Sequence, residues 1–262
     1  MQHILSARNR SVLRKFASAN VLLAFDFDGT LAPIVSDPRK AAPRPITRRL
    51  LRQLTSLYPC IVVSGRSRED IRRKLKNIRF TEFIGNHGIE PWGSSPSLTR
   101  LVKSWIPALK QGLAPFGGVL LENKRFTLSV HYRRERNKNA VLNVVMEVAR
   151  GLPKARLIGG KQVVNIVPRG SSNKGRAVAR ARQQFGCDNV IYVGDDKTDE
   201  SVFAQSRYKR YLTIRVAASR SSLARFYIRN QREIDRLLRA IIELHSDKSA
   251  GPFPVRSAGS SN

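Results

Sequence analysis

The apolar run Val21–Phe25 leads directly into Asp26-Phe27-Asp28-Gly29-Thr30. A run of this length, closed by a turn residue, is typical of a strand buried on both faces in a parallel sheet. Open α/β sheets bind their ligands at the carboxyl ends of their strands, so both aspartates are expected at a binding site. Strand alternation predicts that Asp26 and Asp28 point to the same side. Two neighbouring carboxylates repel each other, which favours a bound cation such as Mg²⁺; the simpler alternative is a pair of solvated aspartates.

Three further polar positions stand where predicted elements begin or end. Ser64 follows the apolar stretch 60–63, Asp195 and Asp199 follow the stretch 190–193, and Lys174 precedes a predicted helix over 176–185. A topological switch point in a doubly wound sheet would bring these side chains to one edge. Each also has a simpler explanation, because Ser64 is a suitable helix cap, Lys174 a suitable surface lysine and Asp199 a suitable helix-terminal charge.

The chain divides into a discontinuous core, residues 1–96 and 168–246, and an insertion, residues 97–167. In the insertion, apolar and polar residues alternate from Phe126 to Tyr132, which predicts a half-buried antiparallel strand that pairs with 118–122. Helical segments on both sides make this an α+β unit. We therefore predict an α/β fold whose mostly parallel, doubly wound sheet carries an inserted α+β domain. Residues 247–262, rich in Ser, Gly and Pro, are predicted to form a disordered tail.

The charge balance is unusual, with 48 Lys and Arg against 19 Asp and Glu, a net +29. Such a field attracts phosphorylated or acidic partners without identifying one. The basic residues accompany helical periodicity and aromatic residues are only 7%, so we expect solvated helix faces and no dedicated nucleic acid partner, although nonspecific electrostatic binding is expected. No apolar run approaches the ~20 residues of a membrane helix, so we expect a cytoplasmic protein with no membrane partner.

The four motifs in this order (DxDGT, a Ser after an apolar strand, a distant Lys, and GDxxxD) resemble those of the haloacid dehalogenase superfamily of phosphatases. The chain also resembles, more narrowly, the trehalose-6-phosphate phosphatase family. Together the resemblances cover about residues 20–205. The narrower one rests on these segments: Ser64-Gly65-Arg66, Gly85-Asn86-His87-Gly88, Glu122-Asn123-Lys124, His131-Tyr132-Arg133 and Gly194 to Glu200.

The resemblance implies a haloacid dehalogenase-like core and a Mg²⁺-dependent phosphomonoesterase that converts trehalose 6-phosphate to trehalose and phosphate. Asp26 would be the nucleophile that forms an aspartyl-phosphate, and Asp28 the general acid and then the general base. Ser64 and Lys174 would hold the phosphoryl oxygens. The implied Mg²⁺ site comprises Asp26, the backbone carbonyl of Asp28, Asp195 and, in support or through water, Asp199.

The resemblance implies that the inserted domain is a cap that binds the sugar. His131 lies on the polar side of its strand, where simple solvation is the alternative, and Glu122 and Lys124 share the parity of apolar Phe126, so the turn must redirect them. Similar phosphatases carry Glu where this chain has Asn165, so another sugar or polyol phosphate is an alternative substrate; a basic nucleic-acid-binding protein on a phosphatase-like scaffold is an alternative of a different class. The implied substrate contacts are Gly65, Arg66, Asn86, His87, Glu122, Lys124, His131, Arg133 and Asn165.

Overall fold

The computed structural model describes residues 1–160 and 162–249, the last three without their side chains. Within these residues, seven strands form a parallel sheet in the order β1-β11-β10-β9-β2-β3-β4, and four form an antiparallel sheet in the order β5-β6-β8-β7. The strands are β1 Gln2–His3, β2 Val21–Phe25, β3 Cys60–Val63, β4 Glu82–Ile84, β5 Leu120–Asn123, β6 Leu128–His131, β7 Ala155–Gly160, β8 Val163–Pro168, β9 Asn189–Gly194, β10 Tyr211–Val216 and β11 Phe226–Ile228.

Strand β2 lies in the middle of the parallel sheet, and all five of its residues are buried. Leu23 and Phe25 pack into the apolar core on one face, while Leu22 and Ala24 pack into the core on the other. Burial on both faces is what the uninterrupted apolar run predicts, and it leaves Asp26 at the carboxyl end of the central strand.

Helices cover both faces of the parallel sheet, which confirms the predicted doubly wound α/β class. Helices α1, α2, α3 and α9 contribute to one core, and α7 and α8 to the other. The helices are α1 Arg10–Ala17, α2 Pro45–Leu57, α3 Arg68–Lys74, α4 Pro96–Ser104, α5 Ile106–Leu113, α6 Lys138–Gly151, α7 Lys174–Gln184, α8 Glu200–Phe203 and α9 Ile234–Ser249.

The antiparallel sheet has a core of its own, to which α4, α5 and α6 contribute. Trp105 is fully buried there, and its indole Nε1 donates to the carbonyl of Pro153 at 3.0 Å. Strands β5 and β6 form the predicted hairpin, with Glu122 opposite Ser129. A separate apolar core supports the proposal that this unit is a cap domain; its boundaries at 97 and 167 stay a prediction.

Some elements differ from the sequence expectation. Thr47 is of a residue type that suits the start of a helix running to about Leu57. Helix α2 instead begins at Pro45, and the Thr47 hydroxyl donates to Asp235 at 2.6 Å. Helix α9 continues to Ser249, into the predicted tail, and the remainder of that tail lies outside the described residues. Among the described helices, none is both long enough and apolar enough to span a membrane.

Candidate active site

Four charged side chains meet where β2, β9 and α7 converge. Asp26 extends from β2, Asp195 from β9, and Lys174 opens α7, while Asp199 lies in the short 3-10 turn after β9. Carboxylate oxygens of the three aspartates lie within 4.8 Å of one another, and all three residues are buried. The structure therefore brings together four of the residues that the sequence selected.

Lys174 places a cation inside this cluster. Its ammonium Nζ donates to Asp26 Oδ1 and to Asp199 Oδ1, both at 2.7 Å, and the side chain is only 2% exposed. Burial disfavours the charged ammonium, but the carboxylates of Asp199 and Asp26 outweigh it and raise the pKa of Lys174 above its ordinary value. Lys174 therefore remains charged at neutral pH and is not a surface lysine.

Asp199 is fully engaged by protein donors. Besides Lys174, its Oδ1 accepts from the Tyr192 hydroxyl at 2.6 Å, and its Oδ2 accepts from the backbone N–H groups of Asp195 and Asp196, both at 2.9 Å. Such a carboxylate orders the loop after β9 and has little capacity left for a direct metal bond. Sequence reasoning missed Tyr192, although a hydroxyl in an otherwise apolar buried strand signals a polar partner.

The three carboxylates of the cluster lie close enough to influence one another. Burial, together with the neighbouring carboxylates Asp199 and Asp195, raises the pKa of Asp26 well above its ordinary value despite the opposing charge of Lys174. Lys174 contacts two of the three buried carboxylates, and the carboxylate oxygens of all three form the hard donor set that Mg²⁺ prefers. The residues present therefore fit a Mg²⁺ ion.

Gly29 lets the loop after β2 pass close to this cluster. Its φ is +83°, a left-handed conformation that favours glycine, and a side chain there would overlap the carboxylate of Asp195. The N–H of Gly29 donates to the carbonyl of Ala32 at 2.8 Å, which closes the turn. Both reasons require glycine in the DxDGT motif.

Asp28 pairs with Arg66, which follows β3. The guanidinium of Arg66 donates from Nε to Asp28 Oδ2 at 2.6 Å and from Nη2 to Asp28 Oδ1 at 2.7 Å. The carboxylate side chain is 40% exposed, whereas the arginine side chain is 12% exposed. The structure thus links one residue expected to perform chemistry with one expected to contact the substrate.

Ser64 and His87 lie side by side at the ends of β3 and β4. The buried Ser64 hydroxyl oxygen accepts from the N–H of Arg66 at 3.2 Å, and the Ser64 carbonyl accepts from the N–H of His87 at 2.9 Å. The His87 ring lies against Gly65, and neither ring nitrogen has a hydrogen-bond partner among the described residues. Unpaired buried nitrogens are suited to receive a polar ligand.

His87 is predicted to stay neutral throughout the physiological pH range. Burial, with the positive charges of Lys124 and Lys174, lowers its pKa to about 3, against an unfolded value of about 6.5. Because the pKa is lowered, the contribution of neutral His87 to the free energy of unfolding is fully present above about pH 6.5 and is lost as the pH falls toward 3. Ring ¹⁵N shifts should therefore show a neutral imidazole from pH 8 to 5, and His87→Gln should lessen the acid-side loss of unfolding free energy. A ring that titrates near pH 6.5 would contradict this.

The antiparallel sheet touches the core through the tip of the β5–β6 hairpin. Thr127, which sequence reasoning missed, donates from its hydroxyl to Asn86 Oδ1 at 2.6 Å; Asn86 Nδ2 donates to the Lys124 carbonyl at 3.2 Å and to Glu90 Oε2 at 2.7 Å. Lys124 Nζ donates to the Gly65 carbonyl at 3.2 Å. Asn86 is fully buried and thus ties the core to the cap hairpin, whereas its predicted contact with substrate stays a prediction.

Glu122 and His131 form a polar pair on the hairpin. Glu122 Oε2 lies 2.7 Å from His131 Nε2 and 3.6 Å from Lys124 Nζ. Burial alone would raise the pKa of Glu122, but His131 and Lys124 lower it to about 2. The turn does redirect Glu122 and Lys124 away from buried Phe126, since both retain polar partners. Arg133 is exposed and donates to the carbonyl of Val35 in the core at 3.1 Å.

Asn165 is buried on β8, next to β6. Its Oδ1 accepts from the Ser129 hydroxyl at 2.6 Å, and its Nδ2 lies 3.5 Å from the carbonyl of Ile158. Asn165 also lies close enough to His87 to influence its pKa. An amide here supplies both donors and an acceptor, whereas a carboxylate would only accept.

Away from this cluster, many basic side chains line one helical layer, in which α1 and α2 both pack against α9. This is the layer of solvated helix faces expected from the charge balance. The exposed members are Arg10, Arg14, Lys15, Arg49, Arg52, Arg236 and Arg239.

Comparison with known proteins gives a consistent result. A family model described as trehalose-phosphatase matches residues 24–230. A rice protein, probable trehalose-phosphate phosphatase 4 (Oryza sativa subsp. japonica), is 28% identical over 94% of this chain and 72% of its own length. An Arabidopsis thaliana protein, probable trehalose-phosphate phosphatase H, is 30% identical over 76% of this chain and 64% of its own length.

Solved structures agree on the fold. The C-terminal domain of trehalose-6-phosphate phosphatase from C. albicans superimposes with a TM-score of 0.76 over 90% of this chain and 97% of that domain, at 22% identity. At this identity the likeness establishes the fold alone.

Proposed function

This chain belongs to the trehalose-phosphatase family, and on that premise we propose that it hydrolyses trehalose 6-phosphate to trehalose and phosphate. The observation that carries the proposal is the buried cluster of three aspartates around Lys174 at the carboxyl end of the central strand. The chain spans 72% and 64% of the length of the rice and Arabidopsis relatives, and its activity is therefore argued from its own residues.

In the first half-reaction, a carboxylate oxygen of Asp26 attacks phosphorus. The new O–P bond forms as the ester P–O bond breaks, and Asp28 gives its proton to the departing sugar oxygen. Lys174 already lies 2.7 Å from Asp26 and, with Ser64, can hold the non-bridging phosphoryl oxygens, whose charge needs compensation next to an anionic nucleophile.

In the second half-reaction, water attacks the phosphorus of the aspartyl-phosphate. Asp28 takes the proton from the water, the O–P bond to Asp26 breaks, and free phosphate leaves. The Asp26 carboxylate and protonated Asp28 are restored, so that the enzyme begins the next cycle unchanged.

Mg²⁺ would be held by Asp26, Asp195 and the backbone carbonyl of Asp28. Asp199 would support the site by accepting from the N–H groups of Asp195 and Asp196. When bound, the ion would offset the repulsion between the carboxylates and the substrate phosphate. The protein donors on Asp199 argue against a direct bond from its carboxylate to the ion.

The cap side would bind the sugar through its polar residues. Glu122 and His131 on the hairpin, with Asn165 and His87 at the junction, offer acceptors and donors suited to sugar hydroxyls. Asn165 in place of the family Glu makes another sugar or polyol phosphate the alternative substrate. No described aromatic stacking surface accompanies the basic helix layer, so a dedicated nucleic acid partner is not favoured; salt-sensitive nonspecific binding is consistent with the charge.

Phosphate release tests the function. Trehalose 6-phosphate, glucose 6-phosphate and p-nitrophenyl phosphate should be compared with Mg²⁺ and with chelator, for wild type and Asn165→Glu. We expect the disaccharide to be preferred by at least about tenfold in kcat/KM, and we expect chelator to abolish hydrolysis. Equal rates for both sugar phosphates would contradict the substrate, and hydrolysis of no ester would contradict the phosphatase activity itself.

A further inference from the structure

We propose that Arg66 is a positioning residue for Asp28, holding the carboxylate for its part in the reaction, and that it does not itself bind the sugar. The inference rests on the proposed function. The observation that supports it is a two-point contact, in which Arg66 Nε and Nη2 donate to the two carboxylate oxygens of Asp28 at 2.6 and 2.7 Å. A planar fork of this kind fixes both the position and the plane of a carboxylate.

Arg66 is itself held from several sides. Its Nη1 donates to Asp70 Oδ2 at 2.8 Å, its Nη2 donates to the Pro38 carbonyl at 2.8 Å, and the guanidinium carbon lies 5.4 Å from the centre of the Phe27 ring. A guanidinium has five N–H groups, so these contacts leave little capacity for sugar hydroxyls. A side chain fixed in this way is suited to orient a neighbour.

The geometry relates the fork to one half of the reaction. Each carboxylate oxygen offers about two lone-pair sites, so Asp28 can accept both arms of the fork and still accept a proton from water. Formation of the aspartyl-phosphate from an ester with a good leaving group needs little help from an acid, whereas its hydrolysis needs Asp28 as the base. With such an ester, we therefore expect loss of Arg66 to slow hydrolysis of the aspartyl-phosphate more than its formation.

A double-mutant cycle tests this with p-nitrophenyl phosphate, whose leaving group needs little help from an acid. Wild type, Arg66→Gln, Asp28→Asn and the double variant would be compared. We expect Arg66→Gln to lower kcat about 10- to 100-fold, to lower KM in step so that kcat/KM changes less than about twofold, and to produce a burst of one nitrophenolate per enzyme. In the Asp28→Asn background, Arg66→Gln should have no further effect. In the otherwise wild-type enzyme, Arg66→Lys should keep part of the kcat that Arg66→Gln loses.

Arg73→Gln is the matched control, because exposed Arg73 also pairs with Asp70, at 3.4 Å, without contacting Asp28. Multiplicative losses in the cycle, or a raised KM for trehalose 6-phosphate in Arg66→Gln, would overturn the proposal.

A readout independent of activity is the Arg66 Nε–H resonance. It should exchange slowly with water in wild type and Arg73→Gln and rapidly in Asp28→Asn. If wild type hydrolyses no ester, the proposed function fails while this resonance still decides whether Arg66 holds Asp28; fast exchange in wild type would overturn the pairing.

Discussion

Asp26→Asn is expected to lower phosphate release by about 10⁴-fold or more while the protein stays folded. The amide is not a competent nucleophile, and removing a nucleophile that acts with partner groups costs a rate factor of this order. The raised pKa of Asp26 means that the folded state binds its proton more tightly than the unfolded state does. The free energy of unfolding therefore falls as the pH rises from the pKa of Asp26 in the unfolded chain toward its pKa in the folded protein. Substitution by Asn removes this loss.

Phosphate release and urea unfolding at pH 7 measure the two effects. The urea midpoint of Asp26→Asn should equal or exceed that of wild type, and Asp188→Asn, at an exposed site that contacts Asn20, should change neither quantity. Residual activity above about 1% would exclude Asp26 as the nucleophile. Inactivity together with a much lower midpoint would mean that the loss reflects unfolding.

Lys174→Met is expected to reduce both stability and activity. It leaves the carboxylates of Asp26 and Asp199 buried without their shared ammonium, and breaking a buried ion pair in this way costs about 3–5 kcal/mol of unfolding free energy. Loss of a cation that holds the phosphoryl oxygens should lower kcat by about 10²–10³-fold. Urea unfolding and phosphate release, each with and without Mg²⁺, measure these effects.

Mg²⁺ distinguishes the cluster from a simple structural ion pair. The variant keeps the three carboxylates and lacks the Lys174 ammonium, so added Mg²⁺ should raise its urea midpoint more than that of wild type. Lys197→Met is the control, because Lys197 is an exposed lysine in the 3-10 turn that carries Asp199. An unchanged unfolding free energy in Lys174→Met would show that the ammonium does not compensate the buried carboxylates.

The sequence predicted the central sheet best where long apolar runs end on polar residues. The strand before Asp26 could be predicted because its five residues form an unbroken apolar run, and all five are buried. Ser67 precedes Glu69 and Asp70, a pattern that predicts a helix cap, and its hydroxyl oxygen accepts from the N–H of Asp70 at the start of α3, at 3.3 Å. Strand β11, only three residues long, was missed because so short a segment carries no readable period. Thr47 was expected to cap α2, but the fixed φ of Pro45 suits the first helical turn and moves the start upstream.

The composition of the site could be predicted, but its pairings could not. Motif spacing selected Asp26, Lys174 and Asp199 because parallel strands end at one edge of a sheet. The fork between Arg66 and Asp28 joins residues 38 positions apart, and it depends on rotamers and on a loop carbonyl that no local pattern specifies. Likewise, the spacing of the motifs does not show that the side-chain amide of Asn86 forms hydrogen bonds with the β5–β6 hairpin.

The two separate sheets also bear on how such a chain can change over generations. Asn165 makes its hydrogen bonds with Ser129 and Ile158 inside the antiparallel sheet, whereas Asp26 is held by Lys174 at the edge of the parallel one. On the proposed function, a substitution at position 165 would therefore change the sugar side of the site while leaving the contact between Lys174 and Asp26 in place. If the proposed function holds, substrate preference could then change by substitution in one sheet without disturbing the groups that break the phosphate ester at the other.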